Sequence, residues 1–295
     1  MKRKLIKQGQ GGFTVTVPVK WVREFNLKSG SEIDVNETED GLLISAQLVK
    51  RERAIVLDIT PYHKRMILNL LNQSYRLGYD IITIKCKDSQ KKSIEEFLPR
   101  LLGFEITNTK GDYVLQNIAE PDSEKFDTIL RRMFLLILEL SEEIVSAIES
   151  GNQIDLVKKK ENIDRLTNYL RRTVIRSHIG GSKSSFLYSL ISKQSLISHS
   201  YTYFYQYFNR QNISISKDFL LHLKTTTVFY REFYNAYYKK DLNLLSEIDT
   251  KKKELFLNND TLILGKGHQN ILLTHMREII RLTQMSSTFA IGYYL

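Results

Sequence analysis

The chain is 295 residues long and carries 43 Lys+Arg against 33 Asp+Glu, a formal net charge of +10. Its apolar fraction of 42% fits a globular protein and excludes a disordered one, and the length leaves room for two or three domains. No apolar run approaches the ~18 residues of a membrane span. The start, Met1-Lys2-Arg3-Lys4, leads into no apolar leader core, so the expected setting is cytoplasmic.

A single cysteine, Cys86, excludes an internal disulfide and a cysteine-based zinc site. The six histidines are scattered and none forms HxxxH, which disfavours a zinc hydrolase.

The first segment, residues 1–46, segregates its charge. Up to Arg23 there are six bases and no acid: Lys2, Arg3, Lys4, Lys7, Lys20 and Arg23. A small segment of this kind has one basic face, which reads as a polyanion site. Phe13–Val17 alternates and is β-branched, so it predicts a strand ended by Pro18. Val19–Phe25 predicts a short helix with Val22 and Phe25 on one face and Lys20 and Arg23 on another. Ile33–Val35 and Leu42–Ile44 predict a hairpin around Glu39-Asp40-Gly41. About 45 residues of short strands cannot close a core alone, so dimerisation is expected to supply the missing half.

The second segment, residues 53–120, reads as a small α/β connecting module. Strands are expected at Ala54–Ile59, Asp80–Lys85, Phe104–Thr107 and Tyr113–Asn117, the last two around a Lys110-Gly111-Asp112 turn. One helix is expected to start at Pro61 and another to span Ser93–Leu102, with Pro99 in its second half. No Gly-rich phosphate loop is visible in this stretch.

The third segment, residues 121–295, is all helical periodicity, with no proline after Pro121. Phe126, Ile129, Leu130, Met133, Ile137, Leu140, Ile144 and Ile148 form one apolar stripe, broken by Gly151-Asn152. Five further helices are expected at about 154–176, 184–209, 217–238, 241–258 and 267–294. Ala147…Gly151-Asn152…Leu156 and Ala236…Asp241…Leu244 align faintly, which suggests two three-helix bundles.

Chemistry-bearing motifs are sparse. Gly180-Gly181-Ser182-Lys183-Ser184 lacks the leading glycine and the strand of a phosphate loop. Glu139, Glu142, Glu143, Glu161 and Asp164 read as exposed charge beside Lys158-Lys159-Lys160, not as metal ligands. Tyr201, Phe204, Tyr205 and Phe208 share a helical face and read as core. No Ser, Cys or Lys stands in a nucleophile motif such as GxSxG. The chain is therefore read as a non-enzyme, with no catalytic residue, cofactor or metal assigned.

The stretch from Gln10 to Val35, with Val17-Pro18-Val19-Lys20-Trp21-Val22, resembles an AbrB/SpoVT-type swapped-hairpin domain. It looks most like the version that precedes PhoU domains in archaeal phosphate uptake regulators. The helical segment is similar to PhoU in length, order and duplication. The whole is thus expected to be α+β: a swapped-hairpin β domain, a small α/β module and a PhoU-like pair of three-helix bundles.

The resemblance implies an intertwined homodimer and binding of double-stranded DNA. Of the family's basic positions after the proline, Arg23 is matched, whereas Val22 and Thr14 stand where relatives carry bases. DNA binding is therefore assigned to Lys2, Arg3, Lys4, Lys7, Lys20 and Arg23. The Glu-Arg-x-x-Asp signature of PhoU falls on Ser195–His199 and Ile280–Gln284, where only Arg281 fits. Neutral Ser and Gln are poor ligands for a hard or borderline cation, so no PhoU-type metal site is expected.

The resemblance implies a transcriptional regulator of phosphate or related ion uptake, with a sensory or interaction domain docking a protein partner at the bundles. The alternative is a PhoU-like adaptor that binds a transporter ATPase or sensor kinase, its N-terminal domain only dimerising.

Overall fold

Residues 2–9, 11–38, 41–46, 52–108, 112–119, 124–263 and 267–295 are described by a computed structural model. The expected turns at Glu39-Asp40 and Lys110-Gly111, and Pro121, lie outside the described residues. The fold mixes helices with small sheets, and it divides into two units, Met1–Glu52 and Arg53–Leu295.

In the first unit, β1 (Ile6–Gln8) and β2 (Gly12–Thr14) form an antiparallel hairpin, Ile6 facing Thr14 and Lys7 facing Phe13. The strand expected over Phe13–Val17 thus ends its ladder at Thr14. Alternation supplies the propensity, but β1 is too short to pair further. α1 (Val19–Glu24) follows Pro18. It ends through Asn26 at positive φ, with Leu27 N–H donating to the Val22 carbonyl at 2.9 Å. β3 (Asp34–Thr38) and β4 (Gly41–Ser45) make the second hairpin.

In the second unit, β5 (Ala54–Asp58), β6 (Ile81–Lys85), β7 (Phe104–Asn108) and β8 (Tyr113–Asn117) form one sheet in the order β5-β6-β8-β7. β5 and β6 are parallel, and α2 (Lys64–Arg76) makes the crossover between them. Period-two alternation turns Ile82, Ile84, Tyr113 and Leu115 to one buried face. There they meet Ile67, Leu71 and Tyr75 of α2, and Ile94 and Phe97 of α3 (Asp88–Phe97).

Two helix starts differ from expectation. Pro61 does not open α2; it sits in a turn closed by Tyr62 N–H to the Ile59 carbonyl at 3.0 Å. Asp58 locks that turn by accepting from the Thr60 N–H and hydroxyl. α3 starts at Asp88, not Ser93, because the Gln90 side chain accepts from Lys87 N–H and donates to the Ile59 and Tyr62 carbonyls. Pro99 lacks an N–H, and the helix tightens into a 3₁₀ turn, Leu98–Arg100.

Six helices follow: α4 (Phe126–Ser150), α5 (Val157–Ser177), α6 (Ser184–Gln211), α7 (Lys217–Lys239), α8 (Leu242–Thr261) and α9 (His268–Tyr294). They share one apolar core. Phe134 of α4 stands among Tyr230, Phe233, Tyr234, Tyr237 and Tyr238 of α7, stacked on Tyr237 at 5.3 Å. Tyr201, Phe204 and Tyr205 are buried as expected, and Phe208 is partly so.

α6 and α9 run against each other. Both carry buried small residues, Ser195, Ser198 and Thr202 on one and Thr283, Ser286 and Ala290 on the other. Gln194 Nε2 donates to Ser286 Oγ at 3.0 Å and its Oε1 accepts from Tyr230 at 2.6 Å, so the buried amide is satisfied.

One close approach is testable. A Cβ on Gly292 of α9 would stand 2.4 Å from the Phe186 ring of α6. Gly292→Ala should therefore push the Phe186 ring, 40% exposed, aside, and the net change in stability should stay within about 1 kcal/mol because alanine's helix propensity offsets the cost. Urea unfolding of the variant beside the parent chain measures it.

Candidate nucleic-acid interface

All six bases assigned to DNA are exposed. They fall into two sets. Lys2, Arg3 and Lys4 lead into β1, which carries Lys7 on the same hairpin face as Phe13. Lys20 and Arg23 lie one turn apart on α1. Gly9 and Gly11, both at positive φ, flank the tip that folds Lys7 back against β2. Trp21 and Phe25 pack on each other at 5.4 Å between ring centroids, so α1 keeps its aromatics to a different side from its bases.

As its length implies, this unit is bare. None of its residues whose exposure is described is buried. Leu5, Phe13 and Leu42 are 71%, 65% and 63% exposed, and Ile6, Val15 and Val19 are exposed as well. Strand alternation looks the same whether the apolar side meets a core or water; the shortness of the segment, not the pattern, is what implies that no core closes here.

The acidic residues considered for metal each have a cation. Glu139 pairs with Arg132 at 3.0 Å, Glu161 with Arg100 at 2.9 Å, Glu143 with Lys159 and Glu142 with Arg231. Asp164 accepts from Lys160 Nζ at 2.6 Å and lies 2.8 Å from His199 Nε2. Burial would raise its carboxyl, but those two hydrogen bonds hold it below the ordinary value. Among the described residues no group of three or more His, Cys, Asp or Glu is placed to hold a metal ion.

At the positions aligned with the PhoU signature, Ser195 and Ser198 are buried and bonded within α6. Arg281 is forked onto Glu278 by two 2.9 Å bonds on the same helix. Gly180–Ser184 is preceded by α5 and forms a 3₁₀ turn, Gly181–Lys183, ahead of α6.

A second charged constellation escaped the sequence reading. Arg165, Arg171, Arg172 and Arg176 all lie on α5. Arg172 is fully buried; its Nη1 donates to the Tyr75 and Tyr79 carbonyls, and its Nη2 meets Asp80 Oδ1 at 2.6 Å. Arg176 meets Asp80 Oδ2 at 3.0 Å. The signal was available as arginines interleaved with Leu170 and Val174, both of which are buried.

Among the described residues no helix is long and apolar enough to cross a membrane. Comparison with protein families, with curated proteins and with solved structures finds no match to this chain.

Proposed function

We propose that the chain is a DNA-binding transcriptional regulator that works as a homodimer through residues 1–52. One observation carries the reading: the N-terminal unit pairs an exposed basic set with a large exposed apolar set, and none of its residues whose exposure is described is buried. Apolar surface of this kind calls for a covering partner. The β-prone run Val15–Val17, outside any described ladder, suits pairing with a second copy of the same unit. The bases left outside such a pair suit the phosphate backbone of duplex DNA. The field of regulation, phosphate or related ion uptake, is taken from the resemblance of the domain order, with the helical unit as its sensory or partner-docking part.

A salt series tests this. If a dimer neutralises about six to eight phosphates, affinity for duplex DNA should fall roughly 10³–10⁴-fold between 50 and 200 mM salt. Lys20→Gln with Arg23→Gln should lower the salt slope by about one for each contact removed. Fluorescence anisotropy of the full chain, beside a chain lacking residues 1–52, reads both. Absence of binding by the full chain at low salt would sink the regulator reading and leave the adaptor.

A further inference from the structure

Within residues 53–295, the α/β layer meets the bundle where α2 packs on α5 and α6 adjoins them. This seam holds more positive than negative charge. Asp80 answers Arg172 and Arg176. Nothing comparable answers Arg171 of α5 or Arg76 of α2. Arg171 is only 9% exposed, and its Nε is buried without a hydrogen-bond partner. Its guanidinium lies over the Tyr188 ring of α6, 5.6 Å from the centroid. Arg76 is partly buried and spends its Nε on Asn168 Oδ1 at 2.9 Å; that amide is steadied in turn by Asn72 at 2.9 Å.

The acid whose charge acts on both arginines is Asp164. Both of its oxygens are already engaged, by Lys160 and His199. Among the described residues no carboxylate forms an ion pair with Arg76 or Arg171. The strain of this arrangement is visible in their titration. Burial lowers both guanidinium pKa values, and the charge of Arg76 lowers Arg171 further, to about 10.

Two like charges withdrawn from water are costly unless a counter-charge meets them. Planar guanidinium forks match a tetrahedral oxyanion, each able to give it two parallel hydrogen bonds. Tyr188, whose ring stands 5.6 Å from the Arg171 guanidinium, brings a hydroxyl donor to the same seam. We propose that Arg76, Arg171 and Tyr188 form a binding site for a phosphoryl oxyanion, inorganic phosphate or the phosphate of a small phosphomonoester, where α2, α5 and α6 meet. Such an anion bridges the layer and the bundle and ties them together. The site lies wholly in residues 53–295 and stands or falls independently of the DNA reading.

Isothermal titration of the full chain with inorganic phosphate, and separately with adenosine monophosphate, tests the site at constant ionic strength set with chloride. A saturable heat is expected. It should weaken at least about ten-fold in Arg171→Met and Arg76→Gln, the loss of one charge-assisted contact or more. Tyr188→Phe, which keeps the ring, should weaken it several-fold, and the surface variant Arg210→Gln should not change it. Binding of phosphate alone identifies the free ion as ligand, and tighter binding of the nucleotide identifies a phosphomonoester.

Thermal melts separate a binding role from a structural one. Without phosphate, Arg171→Met should melt at the parent temperature or above it, because an unanswered buried charge is gone. With phosphate, only the parent should gain stability. No saturable binding of either ligand at millimolar concentration, or equal binding by the parent and all three site variants, overturns the proposal. So does a phosphate-free Arg171→Met melt well below the parent.

Discussion

Asp80→Asn is expected to lower the stability of the unit spanning residues 53–295 by about 3–5 kcal/mol, the loss seen when one member of a buried ion pair is removed. The carboxylate is 4% exposed, accepts two hydrogen bonds and pairs with a further cation. Arg172 Nη2 approaches Oδ1 at 2.6 Å, and Arg176 Nη2 and the Arg53 N–H approach Oδ2 at 3.0 Å each. An amide keeps the shape but not the charge, so the guanidinium of Arg172, fully buried between the Tyr75 and Phe104 rings at 5.1 Å from each, would be left without its counter-charge. Urea unfolding followed by circular dichroism measures the loss.

The cause can be separated from lost packing. Asp80→Leu combined with Arg172→Met should recover part of the loss, since an apolar pair needs no counter-charge. Full recovery is not expected, because the Tyr75 and Tyr79 carbonyls lose their donor and Arg176 remains. If Asp80→Asn unfolds at the parent's urea concentration, the ion triad does not hold the layer to the bundle.

That triad also marks what a linear reading can and cannot reach. The stripe from Phe126 to Ile148 was legible because its members recur every three or four residues, and α4 buries most of them. β8 was legible to the residue, because Tyr113 and Leu115 alternate with half-buried neighbours. Arg172 and Asp80 are 92 positions apart, and nothing local to either names the other. The early start of α3 hides for a similar reason: Gln90 reaches back about thirty residues to the Ile59 and Tyr62 carbonyls, bonds that no propensity scale contains.

At the N-terminal unit the reverse holds. Its bases were legible as a charge bias, and all six are exposed. Its uncovered apolar side was legible only through the shortness of the segment, because periodicity reports which residues share a face and not what covers that face.

On the dimer proposal, that apolar side carries the second large effect. The full chain should sediment as a dimer, and the chain lacking residues 1–52 should remain folded and sediment as a monomer. Folding without residues 1–52 is expected because both apolar clusters of the second unit lie within residues 53–295. The described residues of 1–52 form no comparable cluster; a segment this short seldom orders itself without a partner, a metal or a disulfide. Phe13→Ser with Leu42→Ser exposes the consequence. Each side chain, if covered in the dimer, contributes about 1.5–3 kcal/mol, and the two-fold pairing counts each one twice. The pair of substitutions should therefore raise the dimer dissociation constant by several orders of magnitude, while the melting of residues 53–295 stays unchanged. DNA affinity should fall with it, since two half-sites held by one dimer bind together and two separate chains do not. A truncated chain that is still dimeric, or a double variant that dimerises as tightly as the parent, would move the self-association elsewhere and leave the exposed apolar side to a different partner.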